Sequence, residues 1–325
     1  MDSERIRELE GLIAGEYSGV TGVVVRKSGE VAYEAYFNGY AAGDAVHVYS
    51  VTKSVVSALI GIAVDRGLIS GVERKVLDFF PEYAVLPGEK TIRSITIQNL
   101  LTMTAPYKYD VEPYEAFFAS PNPIKDALDL LGGDKPIGEF NYSAVGGTHL
   151  LSGILARATG RSVRDFAVEN LFAPLGIDVP RDLALRTKEE HIAVMQARGV
   201  RGWAVDPAGL NAAGWGLFLT PDDMARIGQL YLNGGTWDGE RIVSSRWVEE
   251  STNEHSRCVR WGDMAYGYLW WLPGGDSYAA LGDGGNAIYV DRKKDLVVSV
   301  AALLAPDAKD SVELIKGYIE PAFAG

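Results

Sequence analysis

The chain has a single cysteine, Cys258, in 325 residues. That excludes an intramolecular disulfide and any metal site built on cysteine pairs. It has only four histidines, His47, His149, His191 and His255, and no two have the spacing of a zinc-binding helix pair. No run of 18 apolar residues is present, so no spanning helix is expected. Basic residues are outnumbered, giving a net charge of -12, which argues against a nucleic-acid or anionic-membrane partner. There is no Gly-x-x-x-x-Gly-Lys loop and no Gly-x-Ser-x-Gly elbow. The glycine-rich piece Gly282-Asp283-Gly284-Gly285-Asn286 lacks the third glycine of a dinucleotide fingerprint and leads into a strand. These absences leave no expected cofactor or metal. The start, Met1-Asp2-Ser3-Glu4-Arg5, lacks the apolar core of a signal peptide, so the sequence is expected to be cytoplasmic.

What remains is the composition of a globular protein with a sizeable core, 47% hydrophobic and 23% charged. Residues 3–16 carry Ile6, Leu9, Leu12 and Ile13 at helical spacing. Two β-rich runs, 19–26 and 30–37, flank Lys27-Ser28-Gly29 and predict a hairpin. From Ser50 to Arg66 apolar residues cover nearly every direction of the helical wheel, the pattern of a helix inside a core, with Gly67 as its stop.

Between 76 and 220 short helical stretches dominate: 97–102, 123–131, 148–159 and 163–171. Pro221–Asn233 predicts a helix capped by Thr220. Strands are expected at 265–272, 277–281, 287–291 and 296–304, and a closing helix at 308–319. The fold class is therefore α/β in the α+β sense: an antiparallel sheet flanked by helices, with an inserted, mostly helical lobe. The expected division is 1–75 plus 221–325 for the sheet unit and 76–220 for the insert, with the site in the cleft between them.

Three stretches carry chemistry. Ser50 and Lys53 stand one helical turn apart at a helix start. A serine needs a base before it attacks, and a buried lysine loses proton affinity and can serve as one. Equally, Ser50 can simply cap the helix while Lys53 reaches outward. Phe140-Asn141-Tyr142-Ser143-Ala144 precedes a helix and can hold a phenol over a serine. Tyr142 can also be an ordinary half-buried tyrosine, one of 16. The turn at Asp283-Gly284-Gly285 allows close backbone approach to a ligand, or is merely a turn.

Their order decides more than any one of them. Ser50-Val51-Thr52-Lys53, then Tyr142-Ser143-Ala144, then Asp283-Gly284-Gly285 resembles the serine β-lactamase and penicillin-binding-protein family. The closest likeness is to its class C-like branch, which includes family VIII esterases and aminohexanoate-oligomer-type amidases. Ile97-Gln98-Asn99-Leu100-Leu101-Thr102, Gly214-Trp215-Gly216-Leu217, Thr220-Pro221-Asp222-Asp223-Met224-Ala225-Arg226 and Tyr266-Gly267-Tyr268-Leu269-Trp270-Trp271 fit the same pattern, so the likeness spans roughly residues 15–305.

The resemblance implies the β-lactamase/transpeptidase-like fold and a serine hydrolase working through an acyl-enzyme on Ser50. Lys53 and Tyr142 would transfer protons, and the backbone N–H groups of Ser50 and Asn286 would hold the oxyanion. Asp283, Gly284, Gly285 and Trp215 would contact the substrate, a small ester or amide. A D-amino-acid peptidase, a weak β-lactamase, or a non-catalytic binding module are the alternatives. Two departures bear on substrate: Ala144 replaces the family's usual Asn, and Asp283 stands where a cation is common. A carboxylate there would repel an anionic β-lactam or peptide and leaves neutral or cationic substrates favoured.

Overall fold

A computed structural model describes residues 3–185 and 187–323 of the chain. It opens with α1 (Ser3–Glu16) and the hairpin β1 (Val20–Lys27) and β2 (Glu30–Tyr36). Ser28 and Gly29 turn that hairpin, both with positive φ. After the short β3 (Val46–His47) comes α2 (Val51–Asp65). Every α2 residue from Val51 to Ala63 is buried, as its apolar wheel predicts. A fully buried aliphatic side chain stabilises the fold by about 1.5–3 kcal/mol, so α2 is a principal anchor of the core. Gly67 follows it at φ +70, the left-handed stop expected of a glycine.

The middle of the chain holds α3 (Ile97–Leu101), α4 (Tyr114–Ala119), α5 (Pro123–Leu130), α6 (Gly146–Thr159) and α7 (Val163–Ala167), whose last turn relaxes into a π-helical turn through Phe172. The expected helix at 148–159 begins two residues earlier, because the Glu112 carboxylate accepts from the N–H groups of Ala144, Val145 and Gly146. The segment is less purely helical than expected. It also contains β4 (Asp182–Ala184), α8 (Lys188–Gln196), β5 (Gly202–Val205) and β6 (Leu217–Leu219). These strands and β3 form a four-stranded sheet in the order β3-β6-β5-β4. Each is two to four residues long, too short to show a period.

The remainder is α9 (Pro221–Leu232), the ribbon β7 (Thr236–Trp237) and β8 (Glu240–Arg241), α10 (Ser245–Ser251), then β9 (Ser256–Cys258), β10 (Met264–Tyr266), β11 (Trp271–Gly274), β12 (Ser277–Gly282), β13 (Asn286–Asp291) and β14 (Leu296–Ala302). Thr220 and Asp223 form a reciprocal capping box on α9. The chain closes with α11 (Ser311–Leu314), a π-helical stretch at Ile315–Ile319, and α12 (Glu320–Phe323).

The expected single strand at 265–272 is two strands. Tyr266 pairs with Trp271 across a tight turn in which Leu269 takes φ +62 and Gly267 passes against the Ser251 carbonyl. Ser54 on α2 donates to the Leu269 carbonyl at 2.6 Å, so the break ties this turn to the core helix.

The main sheet is antiparallel throughout, in the order β2-β1-β14-β13-β12-β11-β10-β9. The first and last long strands are neighbours, so both chain ends meet in the sheet. Alternation along β14 separates its faces. Leu296, Val298 and Val300 face α1 and the C-terminal helices, while Val297 and Ala301 face the core that contains α2 and α9. No helix among the described residues is long and apolar enough to cross a membrane.

Candidate active site

The start of α2 is built under constraint. Tyr49 takes φ +47, a left-handed conformation unusual for an aromatic residue. It is held by the edge of the His47 ring, 4.1 Å between centroids, and by turns that bond Val51 N to Val48 O and Thr52 N to Tyr49 O. His47 accepts from Gly216 N at 3.0 Å, and burial pushes its pKa down to about 3, so it serves as a neutral acceptor. Together with Val48 N to Leu217 O and Leu217 N to Thr52 Oγ1, this fastens the 214–219 segment against the beginning of the helix.

Ser50 occupies the N-cap position of α2, yet its side chain caps nothing. Its Oγ lies 2.8 Å from Lys53 Nζ and 3.3 Å from the Tyr142 hydroxyl. Lys53 does not reach outward either. It is 2% exposed, and its Nζ donates to the Gly214 carbonyl at 2.7 Å. Gly214 is required there, since a Cβ would collide with the Ala144 carbonyl. Burial lowers the Lys53 pKa to about 7, against the opposing pull of Glu112 and Asp283. Burial moves Tyr142 the other way, well above the ordinary phenol value, with the Ser50 hydrogen bond opposing it. At neutral pH the pair is thus a partly neutral amine and a protonated phenol on either side of one hydroxyl.

Tyr142 is presented by a loop with its own anchors. Asn141 N donates to the Met103 carbonyl at 2.6 Å, and Met103 takes φ +55. Beyond Tyr142, four donors converge on the Glu112 carboxylate, one of them Ser143 Oγ at 2.8 Å. No pattern in the sequence singled out Glu112.

A cleft of about 360 Å³ opens over Ser50. Tyr142, Trp261, Met264 and Trp271 make its apolar wall, and Leu281, Gly282 and Asp283 the opposite edge. Asp310, the N-cap of α11, also reaches it. Trp261 is half exposed and packs edge-on to Tyr142 at 5.1 Å between centroids. Trp270 faces the core, with Tyr231 at 4.5 Å and Tyr278 at 5.4 Å. Trp261, Met264 and Asp310 were not among the expected site residues; they lie on a turn, on the first position of β10 and on the N-cap of α11, which only the fold brings to Ser50.

Four of the expected site residues sit elsewhere. Gly284 and Gly285 take φ +81 and +97 and turn the chain between β12 and β13, against Leu303 and Lys309 respectively. Asn286 is fully buried; its side chain donates to the carbonyls of Asp283 and Ala302 and accepts from Ala302 N, so the side chain clasps the turn, while the expectation concerns its backbone N–H. The residue lying against Ser50 is Gly282, on the end of β12. A Cβ there would overlap the Val48 carbonyl and stand 3.2 Å from the backbone nitrogens of Ser50 and Val51. The glycines were expected to approach a ligand; in the structure the pair makes the turn, and the close approach to the start of α2 is made by Gly282. Trp215 packs against the rings of His47 and His191, at 5.8 and 5.2 Å, outside the cleft.

The Beta-lactamase family profile matches residues 9–317. A 6-aminohexanoate-dimer hydrolase of Paenarthrobacter ureafaciens is 25% identical over 309 residues, which cover 88% of this chain and 73% of that protein. A penicillin-binding protein homologue from Caulobacter crescentus has the same fold, with a TM-score of 0.74 at 19% identity, covering 99% of this chain and 96% of that one. A family VIII carboxylesterase gives a TM-score of 0.72 at 19% identity, covering 98% and 96%.

Proposed function

The chain belongs to the beta-lactamase family of serine hydrolases, and from that premise we propose that it cleaves a small neutral or cationic ester or amide through an acyl-enzyme on Ser50. The carrying observation is the contact of Ser50 Oγ with both Lys53 Nζ and the Tyr142 hydroxyl.

In this mechanism Lys53, as the neutral amine, takes the Ser50 proton while Oγ attacks the carbonyl carbon. Tyr142, kept protonated by burial, donates to the leaving oxygen or nitrogen and is reprotonated from Lys53. The oxyanion is held by the Ser50 N–H at the start of α2 and, by the family resemblance, by the Asn286 N–H. Water then attacks the acyl carbon and gives its proton to the neutral Lys53 amine, which passes it to Ser50 Oγ as the acyl–Oγ bond breaks and the acid leaves. We place the cleft between the sheet unit, 1–75 with 221–325, and the inserted segment 76–220.

Incubation with a fluorophosphonate followed by peptide mass spectrometry tests this. A single adduct on the Ser50 peptide, with turnover of p-nitrophenyl esters, is expected. No adduct and no ester turnover would reject it.

Gly282→Val offers a second check. Its side chain would wedge β12 away from the Val48 carbonyl and the Ser50 nitrogen. Displacing the strand from the Ser50 N–H, where the oxyanion forms, should lower kcat by about 100-fold with a smaller change in KM.

The substrate follows from charge. Asp283 and Asp310 both face the cleft, and among the described residues no lysine or arginine lines it. Esters of matched size carrying a quaternary ammonium or a carboxylate should differ in kcat/KM by about 5- to 10-fold in favour of the cation, the scale of one contact pair in water. Asp283→Asn should narrow that ratio. Equal rates on both esters, or fast hydrolysis of a chromogenic cephalosporin at neutral pH, would overturn the assignment. The name of the Paenarthrobacter relative makes amine-terminated oligoamides the first amides to assay.

A further inference from the structure

We propose that Glu112 is the positioning residue of this site: its carboxylate ties the Tyr142 loop to the start of α6 and supplies a negative charge facing Lys53, without contacting the substrate. The inference rests on the assignment of Ser50, Lys53 and Tyr142 made above.

The hydrogen bonds are the first argument. Glu112 Oε1 accepts from Ser143 Oγ at 2.8 Å, Val145 N at 3.1 Å and Gly146 N at 2.7 Å, and Oε2 accepts from Ala144 N at 2.7 Å. All four donors follow Tyr142 directly in sequence. Three are backbone groups at the N-terminus of a 14-residue helix, where donors lack intrahelical partners and a negative charge is favoured. Ser143 extends the tether: its Oγ also accepts from Gly147 N at 2.8 Å. The loop is thus held at the four residues that follow Tyr142, whose hydroxyl makes the 3.3 Å contact with Oγ.

Electrostatics is the second argument. The groups facing Lys53 are Ser50 on its own helix, Tyr142 from the 141–145 loop, the Gly214 carbonyl from the segment before β6, Asp283 at the end of β12, and Glu112. Among the described residues, Glu112 and Asp283 are the carboxylates that act on Lys53. Of these two carboxylates, Glu112 acts the more strongly against the loss of proton affinity that burial imposes on Lys53. The missing Asn at position 144 makes this more consequential. Ala144 has no side-chain amide to offer Lys53, and its backbone is instead bound by Glu112.

A glutamine at 112 keeps the size but removes the charge, and its amide nitrogen cannot accept. The test is the pH dependence of kcat/KM for a neutral p-nitrophenyl ester in wild type, Glu112→Gln, Ser143→Ala and Ser50→Ala. In Glu112→Gln the acid limb should move to lower pH, and kcat should fall by about 10- to 100-fold, the scale of a misplaced catalytic group. Ser143→Ala removes one tether and keeps the charge, so kcat should fall by less with the limb unmoved. A loosened fold alone does not shift an acid limb. An unmoved limb in Glu112→Gln overturns the proposal whatever happens to kcat. If that variant does not fold, Glu112→Asp replaces it: the charge stays and the reach shortens, so kcat should fall with the limb in place, and an unchanged kcat overturns the proposal. Full activity in Ser50→Ala would instead reject the parent mechanism.

Discussion

Ser50→Ala is expected to lower kcat on p-nitrophenyl esters by roughly 10³-fold or more, the range seen when a serine nucleophile is removed from its catalytic unit, and to abolish the fluorophosphonate adduct. The side chain has no second task that would blur the result. It makes no capping bond to α2, and its partners, Lys53 and Tyr142, belong to the proposed proton pathway. Helix α2 stays fastened by its buried apolar residues and by the strand contacts through Thr52 and Val48. Thermal unfolding should therefore change little while turnover collapses. A variant that kept a tenth of wild-type kcat would mean that another group attacks the carbonyl.

Lys53→Met should cost a comparable factor in kcat, roughly 10³-fold, because the base is lost along with the route by which Tyr142 is reprotonated. The wild-type profile carries the sign. Only the neutral amine can take the Ser50 proton, so kcat/KM should rise with pH through the Lys53 pKa of about 7 and then level off. Stability should move the same way. In the unfolded chain the lysine holds its proton up to about pH 10.4, whereas in the fold it releases it near 7. Between these values the unfolded state binds more protons, so unfolding free energy should increase with pH, at up to about 1.4 kcal/mol per pH unit. Below pH 7 both states are protonated and the contribution is flat. Urea unfolding at pH 7 and pH 9.5 should show this gain in wild type relative to Lys53→Met. An equal pH response in the two proteins would mean that Lys53 is not held at a depressed pKa.

The residues that sequence reasoning found and those it missed differ in a physical way. Ser50 and Lys53 were legible because their relation is local: one helical turn in an apolar segment fixes their separation. Tyr142 was legible only through the order of three motifs, since a tyrosine before a helix has no local mark of its position over a serine. The glycine-rich turn was legible as a turn. What it faces was not. Gly284 and Gly285 show themselves by the left-handed φ that a reversal demands, whereas Gly282 has ordinary extended angles. Its lack of a Cβ matters only because the Val48 carbonyl happens to lie against it.

Glu112 is the same lesson in reverse. It stands in a loop 31 to 34 residues before its partners, and a single glutamate in a loop carries no pattern. The strands of the small sheet went unseen for a simpler reason, being shorter than the period needed to recognise them. The expected strand at 265–272 was broken by Leu269 in a left-handed turn, a conformation imposed from outside by contact with α2 and α10.

The sequence by itself determined the α+β sheet core, the buried helix that carries Ser50 and Lys53, and the family to which the chain belongs. Those follow from hydrophobic period, capping residues and motif order, which are written along the chain. The tertiary structure alone decided which strand edge lies beside Ser50, which aromatic rings wall the cleft, and which carboxylate holds the Tyr142 loop. Each depends on groups far apart in sequence meeting at van der Waals or hydrogen-bond distance, and such meetings leave no trace in local composition.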